Sequence, residues 1–279
     1  MEAAAKTENL LMMDRKIFLK ELKESFITLK NEYKVLAIGI IAELSFLFLF
    51  VTFAIPFRNA IGNNLLQLGD FIVSQSQQQI GQNFLNDIFS TEYFRNILLL
   101  GTSLVLITYL LYCIFHGFIW RFCFNLTAKK GKYVPYIKKF FLVNLFWYPL
   151  FVFYIIINFF FSYIDNVGRR TDPSGLFFME NLSNLLLILI IYFAFISYVK
   201  IGENKVWKSI KESFRIGIKK FIWVLLMYII IALVFIAINY LLVPIGNLHY
   251  ILIIIIGSLI IIPLMLWVRI FIKRVVDAL

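Results

Sequence analysis

Six stretches of this chain, residues 35–57, 97–120, 140–164, 182–199, 221–243 and 250–272, are apolar almost without interruption. Each approaches or exceeds the roughly 20 residues that a helix needs to cross a hydrocarbon core. The runs are apolar on every side, as Ile251 to Ile256 and Leu259 to Leu266 illustrate. They therefore lack the alternation of transmembrane barrel strands. Isoleucine and phenylalanine disfavour helix in water, but in lipid the backbone must satisfy its own polar groups, and that need overrides propensity. The pattern predicts an all-α, polytopic membrane protein with six transmembrane helices.

The connections between runs carry a second pattern. Just before the first run stand Phe18, Leu22, Phe26, Leu29 and Tyr33, just before the third Val134, Ile137 and Phe141, and just before the fifth Trp207, Ile210, Phe214 and Phe221. Spacings of three and four place each set on one helical face. The first and third sets share Lys23-Glu-Ser-Phe26 and Lys211-Glu-Ser-Phe214. These features predict cytoplasmic amphipathic interfacial helices and a threefold internal repeat, one such helix before each pair of spans. The competing reading is that any connection resting on lipid acquires amphipathicity.

The first connection on the other side, residues 58–96, is too long for a turn. Leu65, Leu68 and Ile72, then Ile80, Phe84 and Ile88, recur at helical spacing around the polar run from Ser74 to Gln79. Two short amphipathic helices joined by a polar turn are expected. The second connection holds a turn signal from Arg169 to Gly175, and the third, Pro244 to His249, reads as a tight hairpin. The organisation expected is a cytoplasmic N-terminal arm over 1–34, a transmembrane domain over 35–272 and a cytoplasmic tail over 273–279. Met1-Glu-Ala-Ala-Ala-Lys6 matches the helical spacer used in engineered linkers, so a start at Met12 or Met13 is the natural alternative. No cleavable signal peptide is expected, because the first apolar run follows a long charged segment.

Charge orients this arrangement. Twenty-three of the 27 Lys and Arg residues fall in the N-terminal arm, the second and fourth connections and the C-terminal end, against Arg58, Arg95, Arg169 and Arg170 on the other side. The positive-inside bias then puts both termini in the cytoplasm of a cell-membrane protein. A net charge of +11 would raise nucleic acid as a partner for a soluble domain, but here the basic residues flank spans. The partners expected are membrane lipids, anionic ones above all, and other membrane subunits or further copies of the chain, with no nucleic acid. Headgroup contact is assigned to Lys23, Lys30, Lys138, Lys139, Lys211, Arg215, Lys219 and Lys220.

The segment Lys211-Glu-Ser-Phe-Arg-Ile-Gly-Ile-Lys-Lys-Phe221, followed by its Ile/Leu/Phe run and echoed over residues 18–55, resembles uncharacterised prokaryotic six-helix membrane proteins. These are similar to the membrane domain attached to some glycerophosphodiester phosphodiesterases. The resemblance implies a membrane module and carries over no catalytic residue, since no soluble phosphodiesterase domain accompanies it.

Composition agrees: 61% hydrophobic, 18% aromatic and 15% charged residues, with mean hydropathy +0.86. An ordinary soluble protein is about 45–50% apolar and about 25% charged. Buried polar groups are where function would reside. Glu43 is the only acid within a predicted span, and it serves either as a protonatable or cation-binding site or as a carboxyl joining helices. With His116, Asn144, Asn158 and Asn239 it makes the intramembrane polar site expected from sequence. Pro149 and Pro263 should kink the third and sixth spans. Cys113 and Cys123, about 15 Å apart on one helix, are beyond disulfide reach. No metal, cofactor or catalytic motif is found. The leading expectation is a non-enzymatic bundle acting as a membrane-embedded subunit or as an assembly and lipid-contact protein. The alternatives are a transporter or permease for a small or lipidic substrate and, third, an intramembrane lipid-modifying enzyme.

Overall fold

A computed structural model describes residues 2–76, 84–127, 131–171, 178–248 and 250–279. Among them nine helices follow one another: α1 Glu2–Asn31, α2 Tyr33–Ser76, α3 Phe84–Ser90, α4 Glu92–Thr127, α5 Tyr133–Thr171, α6 Met179–Lys200, α7 Val206–Lys219, α8 Phe221–Leu248 and α9 Tyr250–Ala278. No strand occurs among the described residues. Helices α2, α4, α5, α6 and α8 contain segments long and apolar enough to cross a membrane, Leu36–Ser74, Glu92–Thr127, Tyr133–Asn166, Asn181–Lys200 and Phe221–Pro244. The sixth apolar run forms α9, whose side chains over 250–255 lie outside the described residues.

The helices are longer than the apolar runs that seed them. Helix α2 does not stop near Arg58 but continues for 44 residues, about 66 Å at 1.5 Å per residue. That is twice a hydrocarbon core of about 30 Å. The stretch around Leu65 and Ile72, expected as a separate short helix, is therefore the far half of α2. Polar residues there mark where a membrane would end, and nothing in them breaks the hydrogen-bond ladder. Of the second expected helix, Phe84–Ser90 is seen as α3. The polar run is helical through Ser76, and residues 77–79 lie outside the described set. The same holds for residues 172–175 of the Arg169–Gly175 turn and for His249, while Pro244 sits inside α8. Pro149 and Pro263 likewise lie within continuous helices, α5 and α9.

The chain divides into two compact units, residues 42–115 and residues 1–41 with 116–279. In the first, the rings of Phe46 and Phe115 lie 6.2 Å apart and Asn96 Nδ2 donates to Asn64 Oδ1 at 3.4 Å. As α2 advances, α4 recedes, so the two run antiparallel. The backbone N–H of Phe94 donates to Thr91 Oγ1 at 3.2 Å, which caps the start of α4. Glu92 in its first turn complements the helix dipole.

In the second unit α5 and α6 form an antiparallel hairpin tied by polar contacts along its length. Tyr136 Oη donates to the Tyr198 carbonyl at 2.9 Å, Tyr198 Oη to Asn144 Oδ1 at 2.6 Å, and Trp147 Nε1 to Ser197 Oγ at 2.9 Å. Farther along, Tyr154 Oη donates to Asn184 Oδ1 at 3.2 Å and the Ser183 hydroxyl to Asn158 Oδ1. The end of α4 packs against the start of α5, where Phe140 sits so close to Gly117 that a Cβ there would lie 3.2 Å from its ring.

Helices α1 and α7 pack on the faces with small side chains. On α1, Ser25 and Thr28 are buried. Ser25 Oγ donates to the Leu22 carbonyl at 2.6 Å and accepts from Trp267 Nε1 of α9 at 2.9 Å, while Phe26 stacks on Trp267 with centroids 4.7 Å apart. On α7, Ser209, Ser213 and Gly217 are buried against the α5–α6 hairpin. Ser213 Oγ donates to the Ile210 carbonyl at 2.7 Å, and Tyr192 Oη of α6 donates to the Gly217 carbonyl at 2.7 Å. Trp207 and Ile218 of α7 are 74% and 68% exposed. Of the positions singled out in the sequence, Trp207 and Phe221 are exposed, Phe18 and Ile210 are buried, and Phe26 and Phe214 are exposed in part but pack on the rings of Trp267 and Phe193. The second amphipathic stretch, at Val134 to Phe141, is no separate helix but the opening turns of α5.

Gly217 tests this docking. A Cβ there would meet Phe193 at 2.7 Å and Tyr192 at 2.8 Å, so Gly217→Ala should destabilise the protein by roughly 1–3 kcal/mol through overpacking. Gly69→Ala, with nothing within 4 Å, should be neutral or stabilising by about 0.5–1 kcal/mol. Thermal unfolding of the two variants in one detergent checks the contrast.

Candidate functional site

The residues expected to share a polar site have separate surroundings. Asn144 and Asn158 are consumed in the α5–α6 ties, and Asn144 Nδ2 also donates to the Phe140 carbonyl at 2.8 Å. Asn239 is exposed on α8. Glu43 is buried in α2, within the 42–115 unit. His116 meets a charged group whose part in the site the sequence hid. Arg269, buried on α9, places Nη2 2.9 Å from His116 Nδ1 and its guanidinium carbon 5.9 Å from the Trp120 ring. A guanidinium only donates, so Nδ1 accepts and the ring proton of a neutral imidazole sits on Nε2.

Just past the end of the sixth apolar run, charge gathers where α1, α4, α6 and α9 end or begin. Lys273 is buried, ion-paired with Asp277 one turn on and 5.3 Å from the centroid of Phe124. Asp277 also takes Lys200 at 3.4 Å. Burial draws the Lys273 ammonium down to about 8, with Lys200 and Arg121 pushing the same way and Glu203 opposing. Arg274 donates to Glu21 at 3.1 Å and to Thr28 Oγ1 at 2.9 Å, fastening α1 to α9. Arg121 lies over Tyr136 with its guanidinium carbon 5.8 Å from the centroid. A Cβ on Gly131 would fall on that guanidinium, and Asn125 holds Gly131 in place by accepting from its N–H at 3.0 Å. The Nε atoms of Arg121 and Arg274 are both buried without a hydrogen-bond partner. A cavity of about 270 Å³ opens beside Glu21, Thr127, Lys273, Arg274 and Asp277.

Of the lysines and arginine assigned to headgroups, Lys23, Lys30, Lys138, Lys211, Arg215 and Lys219 are exposed and Lys220 is half-buried. Arg215 pairs with Glu212 at 3.6 Å. Lys139 instead turns inward and donates to the carbonyls of Ile201 and Asn204 at 3.3 and 3.0 Å, while Asn204 Nδ2 donates to Glu212 at 2.7 Å. It thereby pins the short connection between α6 and α7. Lys129 and Lys130 lie outside the described residues. Cys113 and Cys123 are free and buried, and no group of three metal-ligating side chains occurs among the described residues. No protein-family model, curated protein or solved structure matches the chain.

Sequence reasoning counted Arg269, Lys273 and Arg274 only among the basic residues of the C-terminal end. The available signal was their spacing: Arg269 and Lys273 stand four apart, on one helical face. If His116 serves Arg269 as an acceptor, His116→Phe leaves a buried N–H unanswered and should cost about 1–3 kcal/mol. His116→Asn, which can still accept, should recover part of that loss. Thermal unfolding followed by tryptophan fluorescence distinguishes the two.

Proposed function

We propose that this chain is a non-enzymatic integral membrane bundle that crosses a cell membrane six times, keeps both termini in the cytoplasm, and acts as a membrane-embedded subunit or an assembly and lipid-contact protein. The observation that carries this reading is the orientation of α7. Its small-residue stripe, Ser209, Ser213 and Gly217, is spent on the bundle. Its exposed Trp207 and Ile218, with exposed Lys208, Lys211 and Lys219 beside them, present apolar and cationic groups outward. That combination suits a helix lying in the headgroup boundary of an anionic leaflet.

A threefold repeat is part of the proposal. Ser25 and Ser213, equivalent in the shared four-residue motif, are both fully buried and both donate to the carbonyl three residues back. Each motif helix, like the start of α5, packs on the second span of a hairpin: α7 on α6, the start of α5 on the end of α4, and α1 on α9. Of the asparagines that a transport path would use, Asn144 and Asn158 are taken up in interhelical bonds and Asn239 is exposed. This favours the structural reading over the permease.

A spin label at Trp207→Cys, in protein lacking the two native cysteines and reconstituted into anionic vesicles, tests the placement of α7. The expected depth is roughly 5–10 Å below the headgroups, with a label at Lys211 accessible to aqueous relaxant. A label at 207 in bulk water would reject the interfacial role.

A further inference from the structure

Helix α2 has two unlike faces. Toward α4 it turns Asn64, which accepts from Asn96, and buried Leu68. On the opposite side Ile55, Asn59, Gly62, Leu66, Gly69 and Val73 follow one another at alternating spacings of four and three. The stripe continues inward at the same spacing through Thr52 and Phe48. This is the 3.5-residue repeat of a coiled-coil seam, which keeps one straight line of side chains turned to a partner helix. Phe48, Ile55, Leu66 and Val73, with Leu65 at the stripe's edge, are each more than half exposed. A Cβ on Gly62 would meet nothing within 4 Å, and a hollow of about 500 Å³ lies there between Arg58, Asn59, Asn63, Leu65 and Leu66. In hydrocarbon, at Thr52 and Phe48, acyl chains cover such a stripe as well as a helix would. Past Arg58 the apolar run has ended and α2 goes on to Ser76, so the outer half has no lipid to cover it. A row of apolar side chains in water marks an interaction surface.

We propose that this stripe pairs two copies of the chain, α2 against α2, parallel and in register. A second copy is thereby the partner implied by the subunit reading above, and the parallel orientation rests on that reading. Chains inserted the same way are related by a two-fold axis along the membrane normal, and each stripe position then faces its own counterpart. Asn59 so meets Asn59. An amide both donates and accepts, so it is its own complement, and one asparagine at such a position fixes the register of a parallel pair. Glycine at position 62 admits the backbone of the second helix. The stripe carries no charge, and at its edges Arg58 faces Asn63 of the second copy and Leu65 faces its Asp70, so like charges do not meet. Covering the five large side chains, at roughly 100 Å² apiece, buries about 1,000 Å² over two copies, the area that a specific interface must reach.

The test places single cysteines in the full chain without Cys113 and Cys123, reconstituted in a large excess of lipid and then oxidised. Asn59→Cys and Leu66→Cys should each join two identical chains, because a parallel pair brings equivalent Cα atoms within the roughly 4.4–6.8 Å that a disulfide spans. Gln67→Cys and Ser74→Cys, exposed off the stripe, should not. In the Asn59→Cys background, Leu66→Lys should weaken pairing at least tenfold, read as the loss of cross-linked chain, while Gln67→Lys leaves it unchanged. Leu66 is exposed, so the lysine should not move the thermal midpoint of the single chain, and that measurement separates lost pairing from lost fold. Absence of cross-links at both 59 and 66, equal cross-linking at 67, or pairing of a folded Leu66→Lys chain as strong as the parent's overturns the proposal. A chain that stays single while its Trp207 label lies below the headgroups loses the pair and keeps the membrane reading. Cross-links at 59 and 66 with that label in water keep the pair and reject the reading.

Discussion

Acyl chains are as apolar as leucine, so helices in lipid gain little by burying aliphatic surface against one another. They associate through close backbone approach and through hydrogen bonds that have no better alternative nearby. The distribution of residues in this chain follows that constraint. Phe48, Phe159 and Leu241 are each more than 70% exposed, as lipid-facing side chains would be. The contacts that join helices are made by Gly117, Gly217, Ser25, Ser197 and Asn144, with tryptophan and tyrosine closing over them. Aromatic rings fit this role because they combine a large packing surface with one polar handle.

The same constraint explains why α1 and α7 dock on their polar stripes. A serine whose hydroxyl turns back onto its own helix occupies little volume and leaves its oxygen free to accept, as Ser25 does from Trp267. Gly217 leaves a backbone carbonyl open to Tyr192. Trp207 and Ile218 turn outward, while Phe18 and Phe26 of α1 and Phe214 of α7 pack on aromatic rings of the neighbouring helices. The charged residues around α9 extend the logic past the apolar core, where Arg274 and Glu21 fasten α1 and Lys139 holds the turn between α6 and α7.

How much of this was legible in the sequence differed by kind of feature. The apolar runs announced the helices, because length and continuity survive without tertiary information. Their ends were not legible: Arg58 reads as a boundary of the membrane, yet α2 passes it and continues to Ser76, since a charged residue does not interrupt a helix. For α7, periodicity says only that two faces differ. It cannot say whether lipid or protein covers the greasier one. The shared Lys-Glu-Ser-Phe motif pointed to a real local likeness, with Ser25 and Ser213 buried alike. Of the polar site, His116 was legible but its partner Arg269 was not, because a basic residue near the end of a span looks like one more flanking charge.

The account depends on the chain's cationic connections lying together on one side of a membrane crossed an even number of times. Single cysteines placed at Lys132, Lys208 and Arg95, in protein without the native pair and expressed in intact cells, test this most directly with a membrane-impermeant maleimide. Labelling at position 95 from outside, with 132 and 208 reacting only after permeabilisation, is the outcome the account requires. Reaction of 132 or 208 in unbroken cells would contradict it.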